Sequence, residues 1–301
     1  MEYETKAGIN EINVGINEIK TVKINEVNYP KMLKYIDNPP ETLYYRGDIS
    51  IASGTAIAIV GARKATAYGK WAAYGLANKL SEYDVVVVSG MAYGIDAYAH
   101  KGAVENKGKT IAVFGCGVDI CYPAANKKLM ENIFTSGLII SEYEPGTKPL
   151  PYRFPMRNRI ISGLCFGTII VEAGLNSGSL ITAECAAEQG RNIYAVPGNI
   201  NSVYSIGANK LIKDGATPII VLDDIIDELG ISRKSNLVKQ KEKMGKDEII
   251  LYDIVLSSGE VSSDYLCSKT GKQPSEINAL VTILEMKGMI QTALGKIFIA
   301  K

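Results

Sequence analysis

TAIAIVGARKATAYG, residues 55–69, decides the fold. TAIAIV (55–60) is a nearly continuous apolar run, without the alternation of a half-solvated strand, so it reads as a strand buried on both faces. Gly61 closes it, a short loop follows, and a helix is expected from Gly69 to Leu80. The same grammar repeats in VVVVS (85–89), TIAVFG (110–115), GLIIS (137–141), GTIIV (167–171), NIYAV (192–196) and TPIIVL (217–222). One helix should follow GMAYGID and reach about Glu105, with others near 126–136, 158–164, 180–189, 208–214 and 223–229. Unalternating apolar strands joined by helices predict a parallel sheet covered on both faces. The expected fold class is therefore α/β: a Rossmann-like, doubly wound, mostly parallel sheet over residues 54–232.

The flanks read differently. Residues 1–53 are irregular, repeat INE from Ile9, Ile16 and Ile24, and are taken as an N-terminal extension and lead-in. Residues 233–246 (RKSNLVKQKEKMGK) hold six basic side chains against Glu242 alone and read as a solvated basic linker. Residues 247–301 suggest a small C-terminal winged-helix domain. DEIILYDIVLSSG places Ile250, Leu251 and Ile254 on one helical face, VSSDYLCSKTG is a second helix, and QPSEINALVTILEMKGM is a third with Pro274 in its first turn. Two short strands around Leu294-Gly295 complete it. This segment carries five basic and seven acidic residues, with Glu276 and Glu285 on its third helix. That charge suits a protein contact better than a DNA groove.

The 301 residues are 47% apolar and 22% charged, which excludes a disordered, collagen-like or coiled-coil chain. No apolar run reaches the ~18–20 residues of a membrane span. The opening MEYETKAGINEIN lacks a basic n-region and an apolar h-region, so a cytoplasmic location is expected. His100 is the single histidine, and Cys116, Cys121, Cys165, Cys185 and Cys267 contain no CxxC pair. No metal site and no cofactor are expected, and the cysteines read as reduced, buried thiols. A formal net charge of +1, with 16 basic and 16 acidic side chains over 54–232, gives no global basic field.

Chemistry therefore has to come from local placement. Doubly wound sheets bind ligands beyond the carboxyl ends of their strands, where this chain puts four unusual loops. They are 61–69, 89–96, 115–119 and 172–179. Gly61 would let the backbone approach a ligand, and helices opening at Gly94 and at Ser177-Gly178-Ser179 would offer free N–H groups to phosphate. None of the loops is a complete GxGxxG. PLPYRFPMRNRIISG (149–163) carries Arg153, Arg157 and Arg159 interleaved with Tyr152 and Phe154, and no acid lies between Glu144 and Glu172. Arginine forks match phosphates and aromatic faces stack on unpaired bases, so the segment suits a single strand better than a duplex. The competing reading makes a buried arginine here a brace between loops, paired with Glu172. His100 reads as a packed helix residue, and no nucleophile accompanies the Glu142/Glu144 pair.

VGARKATAYG, SGMAYGIDAYAH, GCGVDICYP, SEYEPGTKP, FPMRNRIISGL, VEAGLNSGSLITAECAAEQGR and YAVPG, in this order and spacing, resemble the DNA-processing protein A (DprA/Smf) family. The resemblance runs from about Tyr29 to Leu229. It implies a non-enzymatic single-stranded DNA-binding protein that protects incoming DNA and loads the RecA recombinase in natural transformation, working as a homodimer away from membranes. It carries DNA binding onto Arg63, Phe154, Arg157, Asn158 and Arg159, with Gly90 and Tyr93 bordering the same pocket. Lys64 beside Arg63, and Arg153 before the FPMRNR motif, join the set. Two alternatives remain. One is a nucleotide-binding or nucleoside monophosphate-hydrolysing enzyme of the related lysine-decarboxylase-like layout, which carries PGGxGT where this chain reads EAGLNSGSLIT. The other is a transcription factor built on the winged helix.

Overall fold

The computed structural model describes residues 18–229, 244–293 and 295–299. The chain divides into two compact units, Met1–Ile231 and Ser232–Lys301. In the first, nine strands form one sheet in the order β1-β2-β6-β5-β4-β3-β7-β8-β9. They are β1 (Lys20–Lys23), β2 (Thr42–Gly47), β3 (Ala56–Val60), β4 (Val86–Ser89), β5 (Thr110–Phe114), β6 (Leu138–Ser141), β7 (Gly167–Ile170), β8 (Asn192–Ala195) and β9 (Thr217–Pro218). β3 to β9 are parallel to their neighbours, whereas β1 and β2 add an antiparallel edge on β6. The strand order turns back between β3 and β7, which makes the crevice beyond their carboxyl ends the topological switch point.

The apolar runs fold this way because each strand must bury both faces. Along β3, Ala56, Ala58 and Val60 enter one core while Ile57 and Ile59 enter the opposite one. Helices α1 (Ala67–Glu82), α2 (Ile95–Glu105), α3 (Lys127–Ser136), α4 (Arg153–Gly163), α5 (Gly178–Glu188), α6 (Ile206–Lys213) and α7 (Asp224–Glu228) connect the strands. Thr66 caps α1 by accepting the Gly69 N–H, which starts that helix two residues before the expected Gly69.

Three expectations need correction. Residue 53 is not a boundary: β2 lies inside the sheet, and Leu33 and Ile36 pack onto Gly163 at the end of α4, where an added Cβ would meet them at 3.0 and 2.8 Å. Residues 20–53 therefore belong to the sheet unit. The helix expected near 158–164 starts earlier, because α4 begins at Arg153. Pro155 fits that first turn, where backbone N–H groups have no intrahelical partner. TPIIVL yields only a two-residue strand. The Asp224 carboxylate accepts the N–H groups of Ile220 and Val221 at 2.6 and 2.9 Å, turning the chain off the sheet edge into α7.

In the second unit, α8 (Lys246–Ser258), β10 (Glu260–Ser262), α9 (Ser263–Thr270), α10 (Pro274–Met286), β11 (Ile290–Ala293) and β12 (Lys296–Ile299) surround a core that includes Leu251, Leu266, Ile277 and Leu284. The three strands are antiparallel in the order β10-β12-β11, so β10 extends the expected hairpin. Of the basic linker, residues 233–243 lie outside the described residues, as does Leu294 of the two expected strands; Lys246 already belongs to α8.

His100 is fully buried on α2, its Nδ1 2.7 Å from Thr110 Oγ1, and burial lowers its pKa from 6.5 to about 3. Between pH 6.5 and about 3 the unfolded chain binds a proton there that the folded chain refuses, so stability drops as the pH is lowered through that window. We expect His100→Gln to flatten the acid limb of unfolding free energy against pH by up to ~1.4 kcal/mol per pH unit. At the antiparallel edge, Gly47 has φ +101° and a Cβ there would strike the Gly137 carbonyl. Gly47→Ala should cost roughly 1–3 kcal/mol in urea unfolding if β2 is integral to the sheet.

Candidate nucleic-acid interface

A cleft of about 700 Å³ opens at the switch point. One wall is the loop after β3, with Gly61, Arg63 and Lys64; the other is Asn176 to Ser179 at the start of α5. The first turns of α4 supply Phe154, Arg157 and Asn158. Arg63 and Lys64 are exposed. The Arg63 guanidinium lies 5.7 Å from the centre of the Phe154 ring, and that ring stacks on Tyr122 at 5.2 Å with 25° between planes. Two aromatic faces beside two free-standing cations can take an unpaired base and its phosphate together.

Arg157 is the centre of the site but is only 4% exposed. Its Nη1 donates to the carbonyls of Gly90, at 2.8 Å, and Val113, so it ties the carboxyl end of β5 to the loop after β4. Gly90 has no room for a side chain, since a Cβ there would collide with the guanidinium. Burial draws the Arg157 pKa down from 12.5 to about 10 against the opposing pull of Asp96. Asp96 accepts the Gly90 and Ala92 N–H groups at 3.1 and 3.4 Å, and burial outweighs these and Arg157 to raise its pKa. Between them Met91 holds a left-handed backbone, φ 60°, and Asn126 Nδ2 donates to its carbonyl at 2.9 Å. Asp96 is the one acidic residue lining the cleft among the described residues, and its oxygens face backbone donors.

The brace reading of the arginine segment thus holds for Arg157, but with other partners than expected. Glu172 does not pair with it. Its carboxylate takes the Thr66 N–H at 2.9 Å and the Thr66 hydroxyl, fixing the start of α1. Asn158 spans to the opposite wall, donating to the Gly178 carbonyl at 3.2 Å. Ser177 caps α5, with its Oγ 2.8 Å from that of Ser179.

Not every expected residue enters the cleft. Arg153 Nη1 donates to the Lys148 carbonyl at 2.6 Å and its guanidinium sits 4.8 Å from the Tyr143 ring centre. Arg159 is bound to Glu142 at 2.6 Å. Gly90 and Tyr93 border a separate recess of about 90 Å³ that shares Arg63, Phe154 and Arg157. Gly94 shapes the site from behind: its φ is +72°, and a Cβ would strike the Ala62 and Arg63 carbonyls. The first N–H of α2, on Ile95, is spent on the Ala62 carbonyl at 3.2 Å rather than offered to a ligand. Tyr122, Val203 and Tyr204 also line the cleft and carried no phosphate signature in the sequence. An aromatic ahead of Pro123 at the end of a strand loop was the available hint for Tyr122.

Fold and site together define a Rossmann-like protein with a cationic, aromatic cleft at its switch point. The profile of the family described as DNA recombination-mediator protein A matches residues 20–230. DNA processing protein DprA of Bacillus subtilis is 44% identical over 212 residues, covering 70% of this chain and 71% of the relative. The X-ray structure of DNA processing protein A from Streptococcus pneumoniae superposes with a TM-score of 0.68 at 40% identity, covering 73% of this chain and 77% of that one. The structure of DNA processing protein A from Helicobacter pylori, described for its single-stranded DNA binding mode, gives 0.65 at 33% identity over 70% of this chain and 95% of that one. The chain belongs to the DNA recombination-mediator protein A family, whose role is DNA processing and recombination mediation.

Exposed Arg63 and buried Arg157 should separate cleanly in stability. Arg157→Ala leaves the Gly90 and Val113 carbonyls without their donor and should cost ~3 kcal/mol in urea unfolding. Arg63→Ala should stay within about 0.5 kcal/mol of wild type.

Proposed function

We propose that the cleft binds single-stranded DNA and that the protein, as a cytoplasmic homodimer, hands the strand to the RecA recombinase without catalysing a reaction on it. The observation that carries the reading is the cleft's pairing of Arg63 and Lys64 with the Tyr122–Phe154 stack, while Asp96 is buried against backbone donors. A duplex hides its base faces, and a single strand presents faces and phosphates together. The start of α5, capped by Ser177, adds a positive helix end to the same cleft. Among the described residues no helix is long and apolar enough to cross a membrane, and no group of three or more His, Cys, Asp or Glu could hold a metal ion.

The second unit fits a winged helix in its order of helix, strand, two helices and two strands. Its third helix, α10, exposes Glu276 and Glu285. These carboxylates, on a helix that carries no basic side chain, would repel a phosphate backbone, so we assign this unit to protein contact rather than groove reading.

The test is a titration of a labelled ~20-nucleotide single strand and the matching duplex at several salt concentrations. Wild type should prefer the single strand. Arg63→Ala should weaken binding and reduce the slope of log K against log salt by ~0.7, one phosphate contact. Equal, weak binding of both forms, together with release of free base from nucleoside monophosphates, would replace this reading with the hydrolase one.

A further inference from the structure

We propose that Tyr68 and Trp71 form a second stacking platform for single-stranded nucleic acid, onto which a strand leaving the cleft runs. This rests on the single-strand reading of the cleft. The two residues stand three apart on α1, with ring centres 6.1 Å apart and 27° between planes. Both are exposed, Trp71 at 61% and Tyr68 at 47%. The Tyr68 hydroxyl donates to the Pro197 carbonyl at 3.1 Å, so the platform is anchored before any ligand arrives.

Two chain segments link the platform to the cleft. The loop that leads into α1 is the one whose Arg63 and Lys64 wall the cleft. The segment that begins at Pro197 continues to Val203 and Tyr204, which wall it opposite. The phosphates of such a strand would find unspent cations on α1 and α2. Lys70 and Lys101 flank the Tyr98 ring at 5.6 and 4.9 Å, and among the described residues neither is in an ion pair. Isolated exposed aromatics are common, but a near-parallel pair continuous with a cationic cleft has the parts a base and its phosphate require.

Trp71 is the only tryptophan in the chain, so its emission reports this position alone. The experiment titrates the full chain with end-labelled oligothymidylates of about 5 and about 20 nucleotides, following label anisotropy and Trp71 emission together. Both strands should bind, and only the long one should quench Trp71. Trp71→Ala should weaken the long strand about tenfold, and Trp71→Phe should restore most of that loss. Long-strand binding without quenching, and unweakened in Trp71→Ala, overturns the platform and leaves the cleft reading intact. Failure of both strands to bind removes the cleft reading instead. Blue-shifted Trp71 emission that moves red on dilution would seat a second copy on these rings and overturn the proposal.

Discussion

The buried guanidinium of Arg157 is the interaction on which the site depends. Parallel strands end in carbonyls that the next helix does not satisfy, and the loops after them diverge. Arg157 reaches from α4 to the Gly90 and Val113 carbonyls and so gathers the ends of β4 and β5 into one edge. That reach requires Gly90 to lack a side chain, Met91 to hold a left-handed backbone and Asp96 to bind the N–H groups on either side. α4 is in turn backed by Leu33 and Ile36, which meet it at Gly163. The lead-in thus supports the helix that supports the cleft.

Charge is sorted by the same logic. Desolvation makes an unpaired buried charge costly, so the buried acids of the site sit where backbone or hydroxyl donors meet them. Glu172 binds Thr66, and Asp96 binds Gly90 and Ala92. Arg159 is paired with Glu142 away from the cleft. Arg63 and Lys64 remain exposed. A chain with a net charge of +1 can therefore present a locally cationic cleft without a basic surface overall.

The sheet was legible because a buried parallel strand must be apolar on both faces, a requirement that survives any tertiary context. Its switch point was legible through the four loops, each of which follows a strand. What escaped was set by partners far along the chain. β2 carries polar residues among its apolar ones, as an antiparallel strand near an edge can, so LYYRGD did not announce a strand. The N-terminus of α4 contains Pro155, which discourages a helical reading unless the first turn is recognised. Arg63, Arg153, Arg157 and Arg159 look alike as letters. Only the fold shows that Arg157 faces carbonyls, Arg159 a carboxylate and Arg63 the cleft.

That division bears on how mutations in the arginine segment should be interpreted. Arg157 lines the cleft and is also its principal brace, so loss of binding on its removal would not by itself place it against a ligand. Its Nε is buried without a hydrogen-bond partner among the described residues, so the brace itself carries a desolvation cost. Arg63 makes no such structural contribution: its described contact is the face of the Phe154 ring, on which it stays solvated. Because exposed charge costs little to rearrange and buried charge a great deal, on the proposed single-strand reading Arg63 and Lys64 would adapt to the ligand while Arg157 holds the shape of the cleft.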